Sequence, residues 1–179
     1  MNRVLILPGL DGSDFPHWQS YLAGEIAKDY GCVSFLKFSN LSAPNKDEWL
    51  RELQKEIEVF KPTTVVCHSI ANILWFHLCN RGSVQGVEKL FLVAPPSLKC
   101  DIEILSSFYP CEIPTTLYAK ESLLITSTND PYMSKEEASE LQKMLNIPMK
   151  ILENGGHVNS SSGYGEWEWI VKAVKNIRK

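Results

Sequence analysis

Ser69, Asp130 and His157 follow one another in the order serine, acid, imidazole, and each stands just behind a short apolar, β-branched run. Together these side chains can make a nucleophile. A serine hydroxyl attacks poorly until an imidazole takes its proton, and the imidazole needs a carboxylate to hold its tautomer and orientation. Ser69 lies in Cys67-His68-Ser69-Ile70-Ala71. Small residues two positions to either side are what a sharp strand-to-helix turn requires, although the usual pattern has glycine at both places. Asp130 lies in Asn129-Asp130-Pro131, and His157 follows Gly155-Gly156. Each has a plainer reading: Ser69 as a helix cap, Asp130 as a turn residue, His157 as a solvated loop side chain. All three falling in this order, each after a strand, favours attack on a carbonyl carbon and acyl transfer to water.

Such chemistry also needs donors for the oxyanion. One would be the backbone N–H of Ile70, directly after the serine, and the other would come from the loop after an early strand. Pro8-Gly9-Leu10-Asp11-Gly12-Ser13 is that loop, with the Leu10 N–H as the expected donor. The loop lacks the Gly-Lys-Ser/Thr ending and the G-x-G-x-x-G spacing of phosphate binders. His17, Trp18 and His68 are candidates for the pocket wall, His17 with the competing reading of a local hydrogen bond in the first turn of a helix. Trp167 and Trp169 read as helix packing, and Cys67 as a structural thiol without a cationic partner.

The elements that must position these groups follow from hydrophobic period. Short apolar runs predict strands at 3–7, 32–37, 63–67, 89–93, 123–128 and 149–152. Helices are predicted from Asp14, with Trp18, Leu22 and Ile26 recurring every four residues; from Asn45, burying Trp49, Leu53 and Ile57; over 70–80; from Ser134, with Glu137 completing a capping box; and over 166–178. Alternating strand and helix predicts an α/β fold in three layers, a mostly parallel central sheet with helices on both faces. Sites in such folds lie at the carboxyl ends of strands. The proline-rich stretch 94–122 breaks the rhythm; a short helix over 101–108 is expected there, serving as a minimal cap or as a plain crossover.

Length and charge exclude other classes. The 179 residues suit one domain spanning 1–179, at roughly 150 residues per domain. Eighteen basic against 21 acidic residues leave a formal charge of −3, without the basic excess of a dedicated nucleic-acid binder. No apolar run approaches the roughly 20 residues of a membrane span, and Pro8-Gly9 interrupts the start too early for a signal peptide. A cytoplasmic protein with no membrane and no nucleic-acid partner is expected. Five cysteines without a CxxC pair suggest reduced thiols, and four histidines without ligand-like spacing suggest no metal and no cofactor.

The opening 7–13 segment, His17-Trp18-Gln19, His68-Ser69, Asn129-Asp130-Pro131 and Gly156-His157 together resemble the small serine hydrolases of the retinoblastoma-binding protein 9 family and its bacterial relatives. The resemblance spans nearly the whole chain. It implies a minimal α/β-hydrolase fold and gives Ser69, Asp130 and His157 the roles of nucleophile, acid and base. Cys67 and Ala71 depart from the glycine or other small residue that relatives often carry. The family's L-x-C-x-E motif has its nearest string in 98–102, Leu-Lys-Cys-Asp-Ile, which lacks the glutamate, so no retinoblastoma-type partner is expected. The expected activity is hydrolysis of small-molecule acyl substrates, esters before thioesters or amides, through an acyl-enzyme. The competing expectation is a hydrolase fold kept as a protein-interaction module.

Overall fold

The computed structural model describes residues 2–29, 31–82 and 84–175. Six strands, β1 (Arg3–Leu7), β2 (Cys32–Phe35), β3 (Thr64–His68), β4 (Val87–Val93), β5 (Ala119–Ser127) and β6 (Met149–Leu152), form one sheet in the order β2-β1-β3-β4-β5-β6. Every pairing is parallel. The central strands read as unbroken apolar runs because both of their faces are covered.

Alternation along each strand divides the core in two. Leu5, Leu7, Val65, Cys67, Leu90 and Leu92 point to one side, where they meet α2 (Lys46–Phe60), α3 (Ile70–Asn80) and α4 (Lys135–Leu145). Val4, Ile6, Val66, Phe91 and Val93 point to the other, where they meet α1 (Trp18–Lys28) and α5 (Glu168–Lys175). α3 is apolar nearly all round and is the most deeply buried helix, as its sequence requires.

The helix starts are fixed by side chains. Asn45 Oδ1 accepts from the N–H groups of Asp47 and Glu48 at 3.0 and 3.1 Å. Ser134 and Glu137 exchange the two bonds of a capping box. At α1 the expectation fails in detail: the cap is His17, whose Nδ1 accepts from the Gln19 N–H at 3.2 Å, rather than Asp14. A histidine can cap because its unprotonated ring nitrogen is an acceptor.

Other differences lie at edges. β5 begins at Ala119, four residues before the apolar run, because 119–122 completes the ladder with β4; Lys120 there pairs with Glu88 at 2.8 Å. β2 ends at Phe35 instead of residue 37, and α5 starts at Glu168; its expected continuation past Lys175 lies outside the described residues. The stretch 94–118 carries the expected short helix in 3₁₀ form, Glu103–Phe108, starting two residues later than 101. It crosses from β4 to β5 and is pinned by His77 Nε2, which donates to the Phe108 carbonyl at 2.7 Å. Trp49 secures it as well, stacked on Phe38 at 4.3 Å and edge-on to Phe108 at 5.5 Å.

Winding reverses between β2 and β3, on either side of β1, and opens a crevice above the carboxyl ends of β1 and β3. Trp49 is fully buried, so Trp49→Ala should lower the unfolding free energy by about 3–5 kcal/mol in urea titrations. Val59→Ala, at a position 75% exposed on the same helix, should change it by no more than about 0.5 kcal/mol.

Candidate active site

β3 is driven straight into α3 with no intervening residue but Ser69, so the turn must be made at one position. Ser69 takes φ 54° and ψ −127°, a conformation that costs a non-glycine residue of order 1–3 kcal/mol. Its hydroxyl caps nothing, which removes the plainer reading. The strain is held from three directions. The Ser69 N–H donates to the Val93 carbonyl at 3.0 Å, and the Ser69 carbonyl accepts from the Asn72 N–H at 3.0 Å. Asn72 Nδ2 then donates to both carbonyls, Ser69 at 2.7 Å and Val93 at 2.9 Å. On the open side Gly9 comes so close that a Cβ there would fall 2.8 Å from the Ser69 Cβ.

His157 closes on this turn from the loop after β6. Asp130 Oδ1 and Oδ2 both accept from its Nδ1–H at 3.0 Å. With the proton on Nδ1, Nε2 is left as the acceptor, and it takes the Ser69 hydroxyl at 2.8 Å. The Asp130 side chain is 2% exposed and that of His157 9%, so little water competes for these bonds. Asp130 Oδ1 also accepts from the Tyr132 N–H at 2.9 Å, and the Tyr132 ring meets the imidazole edge-on at 4.6 Å. Two further groups set the His157 loop. His68 Nε2 donates to the His157 carbonyl at 3.0 Å, and Asn129 Oδ1 accepts from the Gly156 N–H at 2.7 Å, tying the acid loop to the base loop.

A cavity of about 430 Å³ opens over Ser69 and His157. Leu10, Pro96, Ile102 and Leu105 give it an apolar side, while Asn159, Ser160 and Ser161 give it a polar one. Of the expected wall residues, His17 and His68 line it. Trp18 lies behind it, fully buried, edge-on to His68 at 5.8 Å and donating from Nε1 to the Val158 carbonyl at 2.7 Å. Sequence reasoning missed Asn72, Asn129 and Tyr132. Asn72 carried a signal, a polar residue inside an otherwise apolar helix.

Among the described residues no lysine or arginine lines the cavity. Burial, reinforced by the nearby His157, brings His17 down to about 4, and the same two causes hold His68 well below the usual histidine range. Both rings are therefore neutral beside His157. Burial pushes the Cys67 thiol up, with Cys79 adding to it, so Cys67 is no competing nucleophile. Among the described residues no group of three or more His, Cys, Asp or Glu side chains is disposed to hold a metal, and no helix is long and apolar enough to cross a membrane.

Unfolding returns His17 to its ordinary value of 6.5. Between pH 6.5 and about 4 the unfolded chain thus binds a proton that the folded chain does not, and stability present above that window is lost as pH falls through it. His17 alone should account for about 3 kcal/mol between pH 7 and 4, read from urea unfolding at the two pH values. Equal stability at both would contradict neutral burial of this ring.

Solved structures share this architecture. A YdeN-like hydrolase of Pectobacterium atrosepticum matches over 97% of this chain and 89% of its own, with TM-score 0.76 and 23% identity. The ydeN gene product of B. subtilis matches over 97% of both chains, with TM-score 0.84 and 18% identity. Est1E of Butyrivibrio proteoclasticus, solved with ferulic acid bound, matches over 98% of this chain and 87% of its own, with TM-score 0.69 and 11% identity. No curated protein sequence matches. Residues 4–176 match the family described as serine hydrolase, and on that match, which takes in the elbow, the acid loop and the base loop, the chain belongs to it.

Proposed function

We propose that this chain hydrolyses small acyl esters, and by the same steps thioesters or amides, through an acyl-enzyme on Ser69. The observation that carries the reading is the unbroken relay from Asp130 through His157 to the Ser69 hydroxyl, with bonds of 3.0 and 2.8 Å. Ser69 Oγ attacks the carbonyl carbon while His157 Nε2 takes its proton. The imidazolium, held by Asp130, returns that proton to the leaving oxygen, and water then repeats the sequence on the acyl-enzyme.

The oxyanion falls to the N–H groups of Ile70 and Leu10. Ile70 is the first residue of α3, where an N–H has no partner within the helix. In the 9–12 loop, Asp11 and Gly12 spend theirs on the carbonyls of Leu41 and Gly9, at 3.1 and 3.2 Å. That leaves Gly9 and Leu10, which both line the cavity and whose N–H groups have no partner among the described residues; of the two, Leu10 is the donor this reading assigns. The reaction calls for no cofactor, and the cavity volume suits a short acyl group. The opening loop and the His17-Trp18 pair support placing the chain beside the retinoblastoma-binding protein 9 group of the family, without its retinoblastoma-type partner. Unpaired thiols such as Cys67 and Cys79 fit a reducing cytoplasm.

A fluorophosphonate probe should label Ser69, with the adduct located by mass spectrometry and lost in Ser69→Ala and His157→Ala. Turnover of p-nitrophenyl acetate should fall by about 10³-fold or more in each. Folded wild-type protein that takes no adduct would overturn the reading. Because His157 must be neutral to act as base while His17 and His68 are already neutral, the acid limb of log kcat/KM against pH should rise with a slope of one. A slope of two would mean that a second group must also lose its proton.

A further inference from the structure

His17 brings to the cavity a donor that the protein itself does not use. Its Nδ1 accepts from the Gln19 N–H, and an N–H can only donate, so in the neutral ring the proton sits on Nε2. The ring cannot turn freely. It packs edge-on to His68 at 4.9 Å and lies 5.5 Å from Trp18, with the residue 6% exposed. Among the described residues nothing accepts from Nε2, and His17 lines the same cavity as Ser69 and His157.

This step rests on the acyl-transfer reading. In that reading the carbonyl oxygen of a bound ester belongs to the backbone N–H pair, and its leaving oxygen to His157. The acceptors still unclaimed belong to the acyl substituent, the part that stays in the site through both half-reactions. A carboxylate there would find neutral imidazoles and, among the described residues, no lysine or arginine, with the Asp11 carboxylate in the same wall. We propose that His17 is a substrate-positioning residue whose Nε2–H donates to an uncharged oxygen on the acyl group, so that the enzyme prefers alkoxyacyl or hydroxyacyl esters to alkyl esters of equal size.

p-Nitrophenyl methoxyacetate and p-nitrophenyl butyrate test this, since their acyl groups have the same number of heavy atoms and differ by one ether oxygen. The kcat/KM ratio of the two is compared between the wild type and His17→Ser; serine keeps a helix-capping oxygen but does not reach the cavity. His17→Asn, also a capping residue, serves if the serine variant unfolds. Intrinsic ester reactivity and any general loss from repacking cancel in the comparison. The ratio should fall about tenfold in the variant, the worth of one neutral hydrogen bond. The charged p-nitrophenyl hemisuccinate should be a poorer substrate than butyrate for the wild type. A ratio equal in wild type and variant, with both enzymes active, would overturn the role of His17 alone. Absence of both turnover and fluorophosphonate adduct in the wild type would remove the acyl-transfer reading and this inference with it.

Discussion

The backbone of Ser69 is held at φ 54°, ψ −127° by the Val93 carbonyl of β4 and by the backbone and side-chain amides of Asn72 in α3. This constraint comes before any side-chain chemistry. A hydroxyl in an ordinary helix start would lie along the helix surface, whereas the forced turn lifts it above the sheet edge, where an imidazole from a distant loop can meet it. The strain persists because its surroundings over-determine it. β4 receives the Ser69 N–H through Val93, Asn72 grips two carbonyls at once, and both strands flanking β3 are locked in parallel register with it. The sheet thus stabilises the site indirectly, by making relaxation of a single residue expensive for its neighbours.

Around that turn the polar groups form a continuous chain of mutual support. His68, next to the serine, holds the carbonyl of His157, and Asn129, next to the acid, holds the amide before His157. Ser69 and Asp130 thus each have a sequence neighbour that fixes the His157 loop. Neutral imidazoles at His17 and His68 keep the surroundings of His157 free of competing positive charge and leave Asp130 as the charged partner of its ring.

Much of this was legible in the sequence, for physical reasons. Strands buried on both faces must be apolar throughout, so β1, β3 and β4 announced themselves, and the order serine, acid, base fell on the loops behind strands. The start of β5 was not legible, because Lys120 and Glu121 are polar and belong to the sheet only through the ladder with β4. The short helix between β4 and β5 was legible but its 3₁₀ form was not, because what fixes it lies far away in the chain, at Trp49 and His77. Trp18 was assigned to the pocket wall on its neighbourhood with His17, yet adjacent helix residues point in different directions, and the tryptophan faces the core. Asn72 escaped notice because a polar residue in an apolar helix names no partner until the turn it serves is seen.

The 94–118 crossover is fastened through Trp49, Phe108 and His77, all outside the relay, while Pro96, Ile102 and Leu105 from the same stretch shape the cavity. The two regions are thus fastened mostly from different sides and meet at Ser97, whose N–H donates to the Tyr132 carbonyl at 2.7 Å. Under the acyl-transfer reading, a lineage could exchange most of this connector, residue by residue or as a graft, and acquire a new acyl preference with the Ser69 turn left in place. Divergence in such a scaffold would collect between β4 and β5 rather than around Ser69.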